Sequence, residues 1–331
     1  MVDLNHLAAT EARNPATAGA DSMTVLDFLT TMNQEDHKVA PAVAKALPAI
    51  AQAVELVVAA IERGGRLVYA GAGTSGRLGL LDAAECPPTF DTPPGLIVGL
   101  IAGGEAAMTQ AVEGAEDSPA LAEGQLDGIG LGPADVLVGI AASGRTPFVI
   151  GALAHARRLG AATVSIACNP GAEVSRHADV AIEVDNGPEV LTGSTRLKAG
   201  TSQKLILNML STASMVRLGK VYGNLMVDVR PTNQKLLARA VSIVRAATGC
   251  TQRAAERALA QSGQRAKTAI VMLAADVDAE AAERRLAAAG GFVRDALSEA
   301  APKAAPKAAP KAACHTAPPA AAAGPPPAPA A

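Results

Sequence analysis

Two short loops rich in glycine, serine and threonine carry groups that could hold a phosphate. They are GAGTSG at 71–76 and AASGRTP at 141–147. A glycine-rich turn between a strand and a helix exposes backbone N–H groups at the positive end of the helix, where an anion is favoured. Two such turns could clamp one phosphate monoester without a lysine. The predicted phosphate-binding residues are Gly73, Thr74, Ser75, Ser143, Gly144 and Thr146.

Two glutamates are candidates for acid–base chemistry. Glu85 follows the apolar run LGLLDAA and precedes Cys86-Pro87-Pro88, and because proline cannot continue a helix we expect the helix to end there. A carboxyl in such a place is expected to be desolvated, with a raised pKa. Glu116 lies near another predicted helix end. The alternative for either glutamate is a solvated surface residue, and Cys86 is expected to be a small buried thiol.

Other ligands for the first loop can be compared with a phosphate monoester. The spacing G-x-G-x-x-G is matched by 71–76, which raises a dinucleotide site. The acidic residue that confirms such a site should end the next strand, about 20 residues on, whereas the next predicted strand ends at AGGE, 102–105. A nucleoside triphosphate loop is excluded because Gly-Lys-Ser/Thr is missing. The remaining alternative is that these glycines only form tight turns.

Short apolar runs alternating with helical patterns must position these loops. The predicted strands cover 66–72, 95–103, 135–143, 161–169 and 179–185. The predicted helices cover about 75–84, 105–114, 118–128, 147–159, 171–177 and 194–220. Continuous apolar strands separated by helices indicate an α/β fold with a doubly wound five-stranded parallel sheet. Ligands of such sheets bind beyond the carboxyl ends of the strands, where both loops and a third at 192–202 are expected to gather.

Composition changes along the chain predict its domain organisation. Aperiodic polar residues indicate a flexible arm, and a run of alanine, proline and lysine has nothing to bury. The predicted parts are a flexible N-terminal arm over 1–21, N-terminal helices over 22–64, the sheet domain over 65–222, a small C-terminal helical subdomain over 223–298 and a disordered tail over 299–331.

Charge and cysteine content exclude several classes of protein. The 331 residues have a formal net charge of −2, which gives no basic surplus for nucleic acid. Four scattered cysteines without a CxxC pair are typical of reduced thiols, and with no signal peptide we expect a cytoplasmic location. No apolar run is long enough for a membrane span, and the five histidines share no metal-ligand spacing, so neither membrane nor metal is expected.

Four long segments carry a resemblance to a known family. They are GAGTSGRLGLLDAAECPPTF, GLIAGGEAAMTQAVEGAEDS, GIAASGRTPFVIGAL and GPEVLTGSTRLKAGTSQKLILNMLST. Together with EDHKVAPAV and GNLMVDVRPTNQKLLARA, they closely resemble the N-acetylmuramic acid 6-phosphate etherases, a branch of the sugar isomerase (SIS) domain proteins. The likeness runs from about residue 22 to about 297. One departure is Asp91, where the family pattern leads us to expect glycine.

The resemblance implies an SIS domain with a flavodoxin-like three-layer sandwich and a cofactor-free lyase. Water and N-acetylmuramic acid 6-phosphate would give N-acetylglucosamine 6-phosphate and D-lactate, in amino sugar recycling. Glu85 matches the family's proton donor and Glu116 its second active-site glutamate, while Glu189, Ser194 and Lys198 fall in a segment resembling the rim of the site. A homodimer is also implied, and it is the commonest oligomer.

Two other functions on the same fold remain open at this stage. A sugar-phosphate sensor would bind its ligand without needing an acid–base pair, so the two glutamates favour an enzyme. An aldose–ketose isomerase would also exchange the C2 proton of a sugar phosphate but would release no lactate. Fold alone does not separate these functions.

Overall fold

The computed structural model describes residues 9–110, 112–229, 231 and 233–298, which form twelve α-helices and five strands. The tail predicted over 299–331 and residues 1–8 of the predicted arm lie outside these ranges. The strands are β1 (Leu67–Gly71), β2 (Ile97–Ile101), β3 (Val136–Ala141), β4 (Ala162–Ala167) and β5 (Val180–Glu183). The first seven helices are α1 (Val25–Asp36), α2 (Val39–Lys45), α3 (Leu47–Glu62), α4 (Gly73–Phe90), α5 (Pro119–Gly128), α6 (Pro147–Arg158) and α7 (Lys198–Arg217). The last five are α8 (Gln234–Thr248), α9 (Gln252–Gln261), α10 (Ala266–Ala275), α11 (Ala279–Ala288) and α12 (Val293–Leu297).

The five strands form one parallel sheet in the order β2-β1-β3-β4-β5, which confirms the predicted fold class. Gly71 at the end of β1 pairs with Ile101 on one side and with Ile140 on the other. After β1 the chain forms β2 on one side of that strand and then forms β3 on its other side. The direction in which successive strands are added therefore reverses between β1 and β3. That reversal opens a crevice at the carboxyl ends of these two strands, the usual ligand position in such sheets.

Alternating strand residues bury two apolar layers, one on each face of the sheet. Leu67 and Tyr69 of β1 pack in one layer with residues of α3, α4 and α7. Val68 and Ala70 point to the opposite face and pack with residues of α5 and α6. This alternation is the period of two expected for a strand covered on both sides. Helices α4 and α6, which follow β1 and β3, therefore lie on opposite faces of the sheet.

The last five helices pack around an apolar cluster of their own. It runs from Val227 to Ala296 and includes Ile243, Ile270 and Leu286. Lys267 joins this part of the chain to the end of α7, because its Nζ donates to Gly219 O at 3.0 Å and to Asp228 Oδ2 at 2.8 Å. We propose that these helices are the small subdomain expected over 223–298.

Helix α4 is longer than predicted, and the expectation that Cys86-Pro87-Pro88 ends it is wrong. The helix continues through both prolines to Phe90. Both prolines stand in its last turns, where their fixed φ of about −65° is helical and only two backbone donors are lost. Asp91 ends the helix in the left-handed region at φ 48°, and its N–H donates to Pro87 O at 2.9 Å. Glycine is favoured in that conformation. The family pattern, which has glycine at the position of Asp91, fits this helix end.

Three other sequence-based elements differ in the structure. The helix predicted over 105–114 is wrong: two short 3-10 turns, Glu105–Met108 and Ala115–Asp117, stand in that region. Glycines with positive φ at 103, 104 and 114 interrupt any regular helix there. The stretch 171–177 contains only a 3-10 turn, Glu173–His177, and the helix over 194–220 begins at Lys198 and continues unbroken through Gly200.

The described part of the predicted N-terminal arm is packed rather than loose. The Thr10 N–H donates to Asn169 Oδ1, and Asn14 Nδ2 donates to Pro188 O at 3.1 Å. Thr17 Oγ1 donates to Val190 O at 2.8 Å. All three arm residues are buried. The aperiodic pattern corresponds to three short 3-10 turns, and hydrogen bonds from side chains join the first two of them to residues 169–190.

Two helical glycines give a matched test of how closely α4 packs on β1. A Cβ at Gly79 would lie 2.9 Å from Tyr69 Cβ, whereas a Cβ at Gly124 in α5 would meet no described atom within 4 Å. We expect Gly79→Ala to lower the free energy of unfolding by about 1–3 kcal/mol through overpacking. Gly124→Ala should raise it by up to about 1 kcal/mol through helix propensity. Urea unfolding measures both, and a neutral or stabilising Gly79→Ala would contradict the close packing.

Candidate active site

The N-terminus of α4 presents free backbone donors at the carboxyl end of β1. Its capping residue, Ala72, has no side chain that could accept a hydrogen bond from the first turn. Gly73 has φ of 52°, a left-handed conformation that suits glycine and turns the backbone sharply from the strand into the helix. Thr74 is half-buried beside Gly200 of α7. An uncapped end of an 18-residue helix is a favourable place for an anion.

The loop after β3 forms the other wall of the crevice. Gly144 has φ of 73°, and a Cβ there would lie 2.4 Å from Ala172 Cβ. Asn169 supports this loop, since its Nδ2 donates to Ser143 O at 3.1 Å. Thr146 is the capping residue of α6, yet its hydroxyl makes no capping hydrogen bond. That hydroxyl and the half-buried Ser143 remain available to a ligand.

Helices α4 and α7 lie side by side in the same direction. Ser75 near the start of α4 contacts Gln203 near the start of α7, with Oγ donating to Oε1 at 2.9 Å. Further along both helices, Asp82 accepts hydrogen bonds from Asn208 Nδ2 at 2.8 Å and Ser211 Oγ at 3.1 Å. Burial raises the pKa of Asp82, against the effect of these hydrogen bonds. The two helices therefore present their N-termini at the same edge of the sheet.

Only one of these two N-termini is open to a ligand. Glu189 occupies the N-terminus of α7, because its carboxylate accepts from the Lys198 N–H at 3.0 Å and the Ala199 N–H at 2.9 Å. The Glu189 side chain is buried, which raises its pKa despite these hydrogen bonds. The positive end of α7 is thus already neutralised, whereas that of α4 has no such partner from a capping side chain. An anionic ligand is favoured at α4.

Lys198 lies inside the protein and not on the rim where the resemblance put it. Its Nζ donates to Glu35 Oε2 at 2.7 Å and to Asn186 O at 2.9 Å, and the residue is fully buried. Burial by itself would raise the pKa of Glu35, but hydrogen bonds from Lys198 and Lys38 outweigh it and lower the pKa to about 2. Lys198 and Glu189 therefore position the start of α7. Ser194, in the preceding loop, is half-buried.

Glu85 is exposed, so the expected desolvated carboxyl is wrong for the single chain. It lies on the outer face of α4, four residues after Leu81, whose side chain is also exposed. At a rise of about 1.5 Å per residue, Glu85 is about 16 Å along the helix from Thr74. The structure does not bring Glu85 together with the first loop of its own chain.

Glu116 lies on the opposite face of the sheet from Glu85. It is exposed on the 3-10 turn Ala115–Asp117, and Ala115 is buried in the same apolar cluster as Phe148 and Val149 of α6. The next helix continues this packing, since Pro119 lies against Gly151. Glu116 therefore stands beside the first half of α6, on the side of the crevice that carries Thr146.

Residues that sequence reasoning missed connect the loops to the rest of the fold. Asn169 links the N-terminal segment to the loop after β3 through Thr10 and Ser143. Gln203 contacts Ser75 from α7. Neither residue stands in a glycine-rich turn or beside an acidic motif, so no local pattern marked them. Their roles depend on contacts between segments that are 26 to 159 residues apart in the chain.

Thiol reactivity, groups of metal ligands and helices that could span a membrane can each be judged among the described residues. Burial raises the pKa of both Cys86 and Cys168 to about 12, so neither thiol is a nucleophile at neutral pH. No group of three or more potential metal ligands occurs in the described ranges. No single described helix is long and apolar enough to cross a membrane; one pair bent by 61°, Val25–Lys45 with Leu47–Glu62, meets that test only jointly.

Apolar side chains on α1 have few neighbours in the single chain. Val25 is 78 % exposed, Leu26 73 % and Leu29 54 %. Leu81 on α4 and Leu191 in the loop before α7 are also more than half exposed. Large exposed apolar groups of this kind are typical of surfaces that contact another protein.

Comparisons with known proteins agree with this geometry. The model described as the SIS domain matches residues 111–213, and the glucokinase regulatory protein N-terminal SIS domain matches 49–157. The C-terminal lid domain of glucokinase regulatory protein matches 223–278. These matches confirm the SIS fold expected from the sequence.

Curated relatives match over almost their whole length. An N-acetylmuramic acid 6-phosphate etherase from Cutibacterium acnes is 59 % identical over 299 residues, which is 90 % of this chain and 98 % of that protein. One from Mycolicibacterium smegmatis is 61 % identical over 296 residues, 89 % of this chain and 99 % of that protein. Among solved structures, a phosphoheptose isomerase from Francisella tularensis is 22 % identical with a TM-score of 0.49, covering 59 % of this chain and all of that one.

The buried pair of Lys198 and Glu35 gives a stability test for the start of α7. Removing one partner leaves a buried charge unpaired, so Lys198→Met should lower the free energy of unfolding by about 3–5 kcal/mol. The double variant Lys198→Met/Glu35→Gln should recover part of that loss. Because the pKa of Glu35 is lowered, the pair stabilises the protein above about pH 4.5 and loses this effect as pH falls toward 2.

Urea unfolding at neutral and acidic pH measures these differences. The exposed pair of Arg284 and Glu280 on α11 is a suitable control, since its side chains are 65 % and 83 % exposed. Arg284→Met should change the free energy of unfolding by less than about 1 kcal/mol. A Lys198→Met variant as stable as this control would contradict the structural role of the buried pair.

Proposed function

Because the chain belongs to the N-acetylmuramic acid 6-phosphate etherases, we propose that its crevice at the carboxyl ends of β1 and β3 holds the phosphate of that sugar while Glu85 and Glu116 move protons. The chain is a carbon–oxygen lyase of amino sugar recycling. It converts N-acetylmuramic acid 6-phosphate and water to N-acetylglucosamine 6-phosphate and D-lactate. The sensor and isomerase alternatives are set aside by this family membership.

The proposed position of the phosphate rests on one observation. The N-terminus of α4 is uncapped and faces the crevice, while the neighbouring N-terminus of α7 is filled by Glu189. Backbone donors of α4 with Thr74 form one side of the site. Ser143 and the non-capping hydroxyl of Thr146 form the other. Charge-assisted hydrogen bonds of this kind are among the stronger ones in proteins.

Anchoring the phosphate orients the reacting carbons for acid–base chemistry. In the open-chain aldehyde the C2 proton is acidic, and the lactyl ether at C3 is β to the carbonyl. One carboxylate removes the C2 proton, and a carboxyl donates a proton to the departing lactate oxygen. Water then adds to C3 of the unsaturated aldehyde, and C2 regains a proton. General acid–base catalysis of this kind contributes about 10²–10⁴ in rate, and fixed geometry contributes further.

The position of Glu85 calls for a second copy of the chain. Glu85 is about 16 Å along α4 from Thr74. Six bonds separate phosphorus from C2. Two residues of fully extended backbone also contain six bonds and span about 7 Å, so the distance from phosphorus to C2 is no more than about 7 Å. A substrate held at the N-terminus of α4 therefore cannot reach Glu85 of the same chain. A homodimer in which Glu85 comes from the partner brings the two carboxyl groups and the loops together.

Exposed apolar groups on α4 and on α1 support a contact between two copies. Leu81 stands one turn before Glu85 on α4, and it is 52 % exposed. Helix α1 exposes Val25, Leu26 and Leu29. A twofold contact that covers α4 would remove Leu81 from water and desolvate Glu85 together with it.

The acid–base role is tested by Glu85→Gln. The variant should fold and bind substrate but lower the rate of D-lactate release by about 10²–10⁴. Glu256→Gln, on the exposed face of α9, is the matched control and should keep normal activity. Lactate assay with the purified proteins measures both, and near-normal release by Glu85→Gln removes this residue from the mechanism.

Mixed dimers test whether each site is shared between copies. Glu85→Gln is mixed with a Ser143→Ala/Thr146→Val variant under conditions that exchange subunits, and lactate release is assayed at a substrate concentration where each variant alone is nearly inactive. In a mixed dimer one site combines intact loops with an intact Glu85, so an equimolar mixture should recover about a quarter of the wild-type activity. If each site lies within one chain, the mixture stays inactive.

Phosphate recognition is tested by Ser143→Ala. Loss of one hydroxyl to a charged phosphate should raise KM for N-acetylmuramic acid 6-phosphate by about tenfold or more. Ser242→Ala, on the exposed face of α8, is the matched control. Activity toward N-acetylmuramic acid without the phosphate should be poor and equal in wild type and Ser143→Ala. An unchanged KM for the phosphorylated sugar would place the phosphate elsewhere.

A further inference from the structure

Gln203 is a buried residue beside the crevice that the chemistry described above does not use. It is 1 % exposed and lies on α7, with its Oε1 atom 2.9 Å from Ser75 Oγ. Its Nε2 atom has no hydrogen-bond partner among the described residues. A buried amide donor without a partner is costly, so a group of this kind in a native protein calls for an explanation.

The hydrogen bond to Gln203 also restricts what Ser75 can do. A hydroxyl has one proton, and Ser75 donates it to Gln203 Oε1. A phosphate dianion offers only acceptors. With the amide in this orientation Ser75 has no proton left for a phosphate at the N-terminus of α4, although it stands in the third position of that helix.

Rotation of one side-chain amide changes both hydrogen bonds together. If the Gln203 amide turns by about 180° about its last torsion, a soft and roughly twofold one, Nε2 donates to Ser75 Oγ. The Ser75 proton is then free to point at the phosphate, and Oε1 takes the position where Nε2 had no described partner. This end of α4 carries no side-chain cap, while Glu189 caps the neighbouring end of α7.

We propose that Gln203 is the positioning residue for Ser75, and that phosphate binding turns its amide so that Nε2 donates to Ser75 while Ser75 donates to a phosphate oxygen. This inference rests on the phosphate site proposed above and deepens it. Without the ligand, the Ser75 hydroxyl donates its proton to Gln203 Oε1. When phosphate binds, the same hydroxyl donates to a phosphate oxygen. Gln203 acts through Ser75 and does not itself touch the substrate.

The decisive variant is Gln203→Glu, which has nearly the same shape. An ionised carboxylate at 203 can only accept the Ser75 proton, so KM for N-acetylmuramic acid 6-phosphate should rise at least tenfold at about pH 8, with kcat changed much less. A protonated carboxyl regains a donor, and burial beside a phosphate raises the pKa of the new group. The ratio of variant to wild-type KM should therefore fall toward one as pH is lowered to about 5.

Two further measurements separate a positioning role from a general effect. Gln203→Met should raise KM without any such return at low pH. In a double-variant cycle, Ser75→Ala and Ser75→Ala/Gln203→Met should have the same KM, because Gln203 acts only through Ser75. Gln261→Glu, at an exposed position on α9, controls for the added negative charge and should match wild type at every pH.

Different outcomes would overturn different statements. A Gln203→Glu variant whose KM ratio does not change with pH, or effects of Ser75→Ala and Gln203→Met that add in full, would overturn the role of Gln203. In either case Ser75→Ala and Ser143→Ala still raise KM, so the phosphate site stands. If both serine variants keep the wild-type KM for the phosphorylated sugar, the phosphate site itself is wrong.

Discussion

The unbroken length of α4 is the constraint on which the arrangement of the site depends. A regular helix sets the separation of its residues, and α4 carries the turn proposed to bind the phosphate at one end and Glu85 in its last third. Had Pro87 and Pro88 ended the helix, the chain could have folded back toward the crevice. Because the helix is regular through Glu85, this residue shares the exposed outer face with Leu81, and the catalytic role proposed for it depends on a second copy of the chain.

The polar contacts between α4 and α7 bring the proposed phosphate site beside a second helix end. Asp82, Asn208 and Ser211 hold the two helices in parallel, so two positive ends compete at one edge of the sheet. Glu189 neutralises the end of α7, and the buried pair of Lys198 and Glu35 holds its first turn in place. Glu189 and Lys198, which the sequence suggests as ligand contacts, therefore hold the start of α7 in place.

The sheet and its loops could be predicted from the sequence, because their signals are local. Apolar runs place all five strands, and the glycines after β1 and β3 indicate the turns at Gly73 and Gly144. The position of Glu85 could not be predicted in the same way. Proline is a general stop signal, but its effect depends on how near the helix end it stands, and exposure depends on neighbours in space.

Contacts between distant segments account for the remaining differences. The sequence around Lys198 resembles a substrate rim, but its partner Glu35 lies more than 160 positions earlier, and no local pattern shows that the two meet. The pairing of Ser75 with Gln203 is likewise set by the packing of α7 on α4. Residue type and spacing identify groups capable of chemistry, while three-dimensional packing determines which of them face the ligand.

The N-terminal segment has a consequence for the order in which the enzyme is assembled on the ribosome. Thr10, Asn14 and Thr17 are made more than 150 residues before Asn169, Pro188 and Val190, to which they bond. They must wait until β4, β5 and the loop after them have emerged. Since Asn169 also supports Ser143, the loop after β3 gains its full support only late in synthesis. The nascent chain should therefore acquire its sheet before it acquires a finished catalytic crevice.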